Sequence, residues 1–470
     1  VRVAERLGIR HGREILALAS PTVLTMLSHT LMWTVDAAFL GHVSSLALAA
    51  AGLGGMITWT TYTVFNALSR VTATFVSQAN GRGDDRAVGD YTWQGIYIAL
   101  SGGLLLTVAG LWSDVILRWT GNPREVQDAA YVYIRWRTLS AVGTQVSMCR
   151  AGFFNGRKDM RTPMVAGIVA NALNVLLDAI LIFGWGGIPV GGTSLFACEP
   201  MGIAGAAIAT SVSVFVQAGI LVFRFLGPRE YRARFLSHLP RVPSARRILA
   251  MTKVGLPASI GDYIDMISFT VFSALIGRGG TASLAASQVT IQILSFSFMP
   301  LWGLTVAGTV LVGNRIGAGE PDRAERYGNE VYRFCLLYAL GFAAIAVLFG
   351  KHFFRVFTDD AEVLALAAPL ALAAAVFQVF DGLRMIGLGI LQGAGDTRFP
   401  MVLAFVVLIL FFIPATYFMV EVRGGGVVEA WLAGCASYML MAWGTYYRYR
   451  SGHWRRIRIF SEDTDPALAD

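Results

Sequence analysis

Two aspartates, an asparagine and a threonine give this chain the means to hold a small cation in apolar surroundings. Asp36 stands in Trp33-Thr-Val-Asp-Ala-Ala-Phe39, Asp178 closes Asn174-Val-Leu-Leu-Asp178, and Thr210 closes Ala207-Ile-Ala-Thr210. Asn174 and Asp178 are four residues apart, so a helix presents both on one face. Counting depth from the limits of the apolar runs places all four residues at one level, in the outer half of their segments. Carboxylate, amide and hydroxyl oxygens suit a hard cation such as Na⁺, and two neighbouring carboxylates equally suit a shared proton. The sequence offers no Lys or Arg between the two acids to pair them. Ionisable groups inside apolar spans are costly, and so mark function by default. One competing reading is a buried polar network that only ties helices together. Another is an intramembrane aspartyl enzyme, since paired carboxylates can share catalytic protons.

A second set of acids lies further along. Asp262 and Asp265 fall one turn apart, and Asp381 is followed three residues later by Arg384. Asp265 and Asp381 are candidates for a second ion site, while the spacing of Asp381 and Arg384 fits a purely structural intrahelical pair. His29 falls in an apolar run, where an isolated histidine is usually just hydrogen-bonded. Arg70 reads as snorkelling or packed against polar groups. Tyr133, Trp33 and Phe377 are candidate walls of a substrate cavity, although aromatics also serve as packing and interface anchors. Cys149, Cys198, Cys335 and Cys435 lack metal spacing, and three of them fall within apolar runs, which argues against a disulfide framework. There is no P-loop, HExxH or GxSxG motif. The expectation is a protein that is not an enzyme and carries no cofactor beyond a coupling Na⁺ or H⁺.

The elements that must position these groups are transmembrane helices. Hydrophobic residues make up 55% of the chain and charged residues 14%, against about 25% charged in soluble domains; mean hydropathy is +0.58. Twelve apolar runs are long enough to cross a bilayer: 15–41, 47–79, 91–113, 127–154, 163–184, 201–225, 249–276, 282–313, 330–354, 362–391, 400–420 and 427–448. The net charge of +8 fits cytoplasmic loops facing anionic lipid better than a nucleic-acid partner. Arginine is dense at residues 2–13, between spans 6 and 7, and at 448–458, whereas Gly184 to Met201 has neither Lys nor Arg. The positive-inside rule then places both termini in the cytoplasm. The first span is too long for a cleavable signal peptide, and the acidic tail 461–470 is expected to be disordered.

The chain also contains a faint copy of itself. Pro21 pairs with Pro257, Gly41 with Gly277, Ala50 with Ala286 and Gln78 with Asn314, all at one offset that also relates His29 to Asp265. Asn155-Gly-Arg-Lys-Asp159 matches Gln392-Gly-Ala-Gly-Asp396, with the offset slipped by one. Duplication in a membrane protein points to a substrate path at the repeat interface, and speaks against the enzyme reading. The predicted fold is all-α and polytopic, with twelve helices in two six-helix lobes related by a pseudo-twofold along the membrane normal. The predicted parts are an amino lobe 1–226, a basic linker 227–248, a carboxy lobe 249–450 and a tail 451–470.

Taken together, these motifs resemble the multidrug and toxic compound extrusion (MATE) transporters over essentially the whole length. The resemblance rests on Pro21 followed by Asp36, Gln78-Ala-Asn-Gly-Arg-Gly-Asp84, Asn155 to Asp159, Asn174 to Asp178, Gly202-Ile-Ala-Gly-Ala-Ala-Ile-Ala-Thr210 and Gln392-Gly-Ala-Gly-Asp396. It implies a Na⁺- or H⁺-coupled antiporter of the inner cell membrane that exports amphipathic, often cationic compounds as a monomer. It maps the amino-lobe cation site onto Asp36, Asn174, Asp178 and Thr210, with Tyr133 where a functional tyrosine is expected. Asp265 and Asp381 match the NorM-like branch, but Phe377 replaces that branch's tyrosine and Arg384 is foreign to it. The choice between the NorM-like and DinF-like branches stays open. A lipid-linked oligosaccharide flippase of the related superfamily is the alternative; it would need several cationic residues for pyrophosphate, and Arg70 and Arg384 are the chief ones in the spans.

Overall fold

The computed structural model describes residues 10–186, 188–190, 193–195 and 198–460; the tail after residue 460 and the first nine residues lie outside that range. Its helices, in chain order, begin with α1 (Gly12–Val43), α2 (Ser45–Arg70), α3 (Thr72–Arg82), α4 (Asp85–Leu111) and α5 (Ser113–Trp119). They continue through α6 (Arg124–Leu139), α7 (Ala141–Gly156), α8 (Arg161–Phe183), α9 (Gly202–Leu226) and α10 (Arg229–Phe235). After these come α11 (Ala245–Arg278), α12 (Thr281–Gly317), α13 (Pro321–Phe357), α14 (Ala361–Ala365) and α15 (Ala367–Ala394). The last two are α16 (Arg398–Val422) and α17 (Val427–Arg450). Among the described residues, nine of these are long and apolar enough to cross a membrane. The remaining three expected spans are α2 with α3, α6 with α7, and α17. The fold is all-α as expected, with one short hairpin, β1 (Ile188–Val190) and β2 (Thr193–Leu195), pairing antiparallel between α8 and α9.

Two spans are interrupted for identifiable reasons. At Val71 the backbone N–H is shared between the carbonyls of Ala67 and Ser69, which tightens the turn and ends α2. At Ser140, between α6 and α7, the chain again turns more tightly than an α-helix, with the Ser140 N–H on the Arg137 carbonyl. The carbonyls around this break are taken up by hydroxyls from the same and neighbouring spans. Ser211 donates to Trp136 O at 2.9 Å, Tyr62 and Ser140 to Arg137 O at 2.9 and 2.7 Å, and Thr107 to Thr138 O at 2.9 Å. In lipid no water would satisfy them, so these hydroxyls are what makes a break at this depth tolerable. In α16 the widened π turns Phe405–Phe412 and Phe418–Val422 flank Pro414, whose ring lacks an N–H and crowds the preceding turn.

By packing, the chain divides into two compact units. One holds the chain up to Val23, Ser77–Gly83 and the chain from Lys253 onward; the other holds Leu24–Val76 and Asp84–Thr252. These units cut across the lobe limits read from the sequence at two places. In α1 the division falls two residues after Pro21, where a helix hydrogen bond is missing. The piece Ser77–Gly83 joins the carboxy unit through close backbone packing: a Cβ on Gly81 would strike the Asn314 carbonyl, and one on Gly317 the Gln78 carbonyl. Gln78 and Asn314 are repeat partners, and Gly81 and Gly317 stand at the same offset, so the contact is reciprocal. Gln78 Nε2 also donates to Gly393 O at 2.9 Å, and Asn80 Nδ2 to Asn314 Oδ1 at 2.8 Å.

Leu31, Leu104, Leu348 and Trp443 are each 60% exposed or more, an apolar surface that only lipid would cover. The carboxy unit is packed around Phe272, Phe377, Phe412, Trp431 and Tyr438. In the amino unit the basic linker is tied down: Arg241 and Arg247 pair with Asp90 at 2.7 and 2.9 Å, and Arg234 with Asp85 at 2.7 Å.

Candidate functional site

Four helices of the amino unit converge on one polar cluster. Gly205 lets α9 approach α8 closely, since a Cβ there would meet the Leu181 carbonyl at 2.6 Å. That approach brings Asn174 and Thr210 together, with Asn174 Nδ2 to Thr210 Oγ1 at 3.4 Å. Thr210 gives its own proton to Ala206 O at 2.9 Å, which leaves its lone pairs facing the cluster. Asp178, fully buried on α8, and the half-buried Asp36 of α1 are neighbouring carboxyls. Tyr133 of α6 lies near both carboxyls. Gly54 makes room for the Tyr133 ring, because a Cβ would come within 2.8 Å of it.

The acceptors in this cluster outnumber the donors. Both Asp178 oxygens, Asp36 Oδ1 and Asn174 Oδ1 are buried with no hydrogen-bond partner. Two facing carboxylates cannot both be charged in a low-dielectric site without a cation or a proton between them. The oxygen count and type fit a monovalent hard cation, and the carboxyl pair fits a proton; both uses rest on the same atoms. Among the described residues there is no cluster of three or more His, Cys, Asp or Glu, so nothing in the set favours a transition metal.

Arg137 is the residue that sequence reasoning missed here. Its Nε and Nη1 are buried without an acceptor, and its carbonyl accepts from Tyr62 of α2 at 2.9 Å. In the sequence Arg137 sits in Arg135-Trp-Arg137 and reads as a polar span end; the structure places it just before the Ser140 break with two guanidinium nitrogens buried. Not every buried arginine belongs to a site, however. Arg150 is 2% exposed, yet it stacks on the Phe225 ring at 3.8 Å and near Trp93 at 5.5 Å, a cation–π contact that accounts for it.

The carboxy unit holds a second cluster of different chemistry. Arg384 donates through Nε and Nη2 to Asp381 Oδ1 at 2.9 and 2.7 Å, and through Nη2 to Asp265 Oδ2 at 3.3 Å. Tyr438 of α17 donates to Asp265 Oδ1 at 2.8 Å, and the guanidinium lies 4.9 Å from the Tyr438 ring centre. The intrahelical pair suggested by the spacing of Asp381 and Arg384 is therefore present, and Asp265 joins it. Tyr438 also supplies the phenol that Phe377 lacks, a substitution across helices that no spacing rule could find. Beside the cluster is a cavity of about 230 Å³ lined by Phe269, Phe298, Phe377, Gln378 and the ionic residues. Of the three aromatic candidates, Phe377 lines this cavity and Tyr133 lies in the amino cluster. Trp33 is 53% exposed and packs edge-on against Trp59.

The sequence pattern of the MatE family matches residues 21–180 and again 257–418, the two copies starting at the repeat-related Pro21 and Pro257. The chain belongs to the MatE family. Among curated proteins it is 28% identical over 452 residues to "Probable multidrug resistance protein NorM" of Thermotoga maritima, covering 96% of this chain and 95% of that one. It is 30% identical over 457 residues to the protein of the same description from Rhizobium meliloti, with 93% of each chain covered. A solved structure described as the outward-facing conformation of a multidrug resistance MATE family transporter of the MOP superfamily superposes with a TM-score of 0.83 at 20% identity. It covers 95% of this chain and 96% of that one. For this MatE protein the structural likeness carries the fold, and the family places it among multi-pass membrane transporters.

Proposed function

We propose that this protein is a cation-coupled efflux antiporter that exports amphipathic, often cationic compounds by alternating access, driven by inward H⁺ or Na⁺. The observation that carries the proposal is the set of unpartnered, buried acceptor oxygens on Asp36, Asn174 and Asp178, beside the Thr210 hydroxyl. Such a set is stable only with a cation or proton supplied, and an ion can drive a transporter only by binding one conformation better than the other. The membrane potential adds about 2.3 kcal/mol per charge per 100 mV to that drive. The multidrug description of the NorM relatives supports the substrate class. We assign the protein to the inner cell membrane as a monomer, both termini cytoplasmic, with lipid and small molecules as its partners and no nucleic acid.

A flippase for a pyrophosphate-linked lipid would need free cationic side chains, whereas Arg384 is already committed to two aspartates. The test is efflux of a monovalent cationic dye from proteoliposomes under imposed pH or Na⁺ gradients. Coupled efflux by the wild type, lost in Asp36→Asn and Asp178→Asn proteins that still insert, is the expected result. Wild-type efflux by both variants would falsify the ion site. If Na⁺ changes neither transport nor proton uptake, the coupling ion is the proton alone.

A further inference from the structure

Where α17 ends, the chain folds back around a polar pocket that neither aspartate cluster uses. Gly452 takes φ +70°, a left-handed turn that glycine adopts without strain, and a short 3₁₀ turn follows, His453–Arg456. Trp454 pins that turn: it is fully buried, stacks on Tyr449 at 5.9 Å and donates through Nε1 to the Tyr449 carbonyl at 2.7 Å. Tyr449 in turn donates to the Glu325 carbonyl of α13 at 2.7 Å. The pocket has a volume of about 390 Å³ and is walled by Arg450, His453, Arg455, Arg456, Glu325 and Tyr449. His453 is itself held, with Nδ1 at 2.9 Å from Ser451 Oγ.

Arginine stays charged at any working pH, so the charge of this pocket can be counted without a titration argument. Glu325 accepts from Arg450 at 3.2 Å and also from Arg455, and Asp322 accepts from Arg455 at 2.9 Å. Three guanidiniums therefore meet two acids, and Arg456 has no acidic partner among the described residues. Surplus positive charge on planar N–H forks suits a phosphate group. What carries that phosphate is indicated by α17. Trp443, Tyr447 and Arg450 follow one another at intervals of four and three, on one helix face. Trp443 and Tyr447 are 65% and 60% exposed and stack on each other at 5.6 Å. Trp443 lies about 10 Å along the helix axis from Arg450, and exposed Trp and Tyr mark the level where apolar chains meet headgroups.

We infer that this pocket binds the headgroup phosphate of an anionic phospholipid, whose glycerol and upper acyl chains lie along Trp443 and Tyr447. A soluble phosphate compound would engage the arginines alone and leave the aromatic pair uncovered. The inference uses the proposed cytoplasmic placement of this end, where the leaflet surface is negative, and does not depend on which ion drives transport. A bound headgroup would bridge Arg450 of α17 and Arg456 of the turn, and so hold the end of the carboxy unit at the membrane surface.

The test measures phospholipid retained by the purified full chain in neutral detergent, titrated with phosphatidylglycerol or phosphatidylcholine, with thermal unfolding followed alongside. Wild type should retain phosphatidylglycerol in preference to phosphatidylcholine by about tenfold or more, and unfold at a higher temperature with it. Arg450→Gln and Arg456→Gln should each weaken that retention about fivefold, and together about twentyfold. Both side chains are exposed, and Glu325 keeps Arg455 in either variant, so unfolding without lipid should stay at the wild-type temperature. Arg398→Gln removes an equal charge at the same end of the unit, two residues from Asp396, which pairs with Arg448 at 2.7 Å. Lying outside the pocket, it should change retention by less than about twofold. A loss as large in Arg398→Gln would mean diffuse attraction in place of a site, and unchanged retention in the double variant would mean no site; either overturns the inference. Displacement of the lipid by an equal concentration of glycerol 3-phosphate would assign the pocket to a soluble phosphate and overturn it too. So would lipid retention that appears only after removal of residues 461–470, whose four acids would then be the occupant.

Discussion

Replacing Arg384 by glutamine should damage the protein more than replacing its nearest partner, Asp381, by asparagine. Arg384 is 8% exposed at its side chain and holds two aspartates, Asp381 by two bonds and Asp265 by one. Removing it strands Asp381 outright, while Asp265 keeps only the Tyr438 hydroxyl at 2.8 Å. Breaking a buried pair from one side costs about 3–5 kcal/mol, and Arg384→Gln should fall in that range. In Asp381→Asn the arginine still has Asp265 and the Tyr438 ring, so the loss should be about 1–3 kcal/mol, close to that of a charged hydrogen bond. With both residues replaced, no charge is stranded within the pair and the two amides can bond one another. The double variant should then be more stable than Arg384→Gln alone, with a coupling of about 2–3 kcal/mol in a double-mutant cycle. The assay is thermal unfolding in detergent together with membrane yield, and dye efflux is scored separately. A sum of the single losses in the double variant would refute the idea that the cluster is a closed ionic unit. Normal yield with efflux lost would show instead that Asp381 carries an ion, and restore a second coupling site.

Other outcomes follow from the same geometry. Tyr438→Phe should destabilise by about 1–2 kcal/mol, because Asp265 loses its only phenol donor; an unchanged unfolding temperature would remove Tyr438 from the cluster. Gly317→Ala would ordinarily favour a helix by about 1 kcal/mol, but here the new Cβ meets the Gln78 carbonyl, so yield and stability should fall. A stabilised Gly317→Ala protein would disprove the close approach. Asp90→Asn should break the ion pairs of Arg241 and Arg247 and raise tryptic cleavage between residues 227 and 245 several-fold; an unchanged cleavage rate would mean the linker is held by other contacts.

Much of the site was legible in the sequence because the bilayer makes polarity expensive. Asp36, Asn174, Asp178 and Thr210 stand out against apolar runs, and helical spacing alone puts Asn174 and Asp178 on one face. The duplication was equally plain, since Pro21 and Pro257 or Gln78 and Asn314 keep one offset through the chain. What the sequence could not show was which groups from different helices meet. Arg137 looks like a span-end charge, yet it stands at the Ser140 break with two guanidinium nitrogens buried, and that break needs hydroxyls from Tyr62, Thr107 and Ser211 on three other helices. Tyr438 replaces the phenol missing at Phe377 from a helix that lies 61 positions further on. Asp265 looked like a free acid and is shared between Arg384 and Tyr438. Depth and periodicity are local properties of a chain, so the candidate residues could be picked out from it. Charge balance depends on which helices pack side by side, and was decided only when α1, α6, α8 and α9 closed around one pair of acids and α11, α15 and α17 around the other.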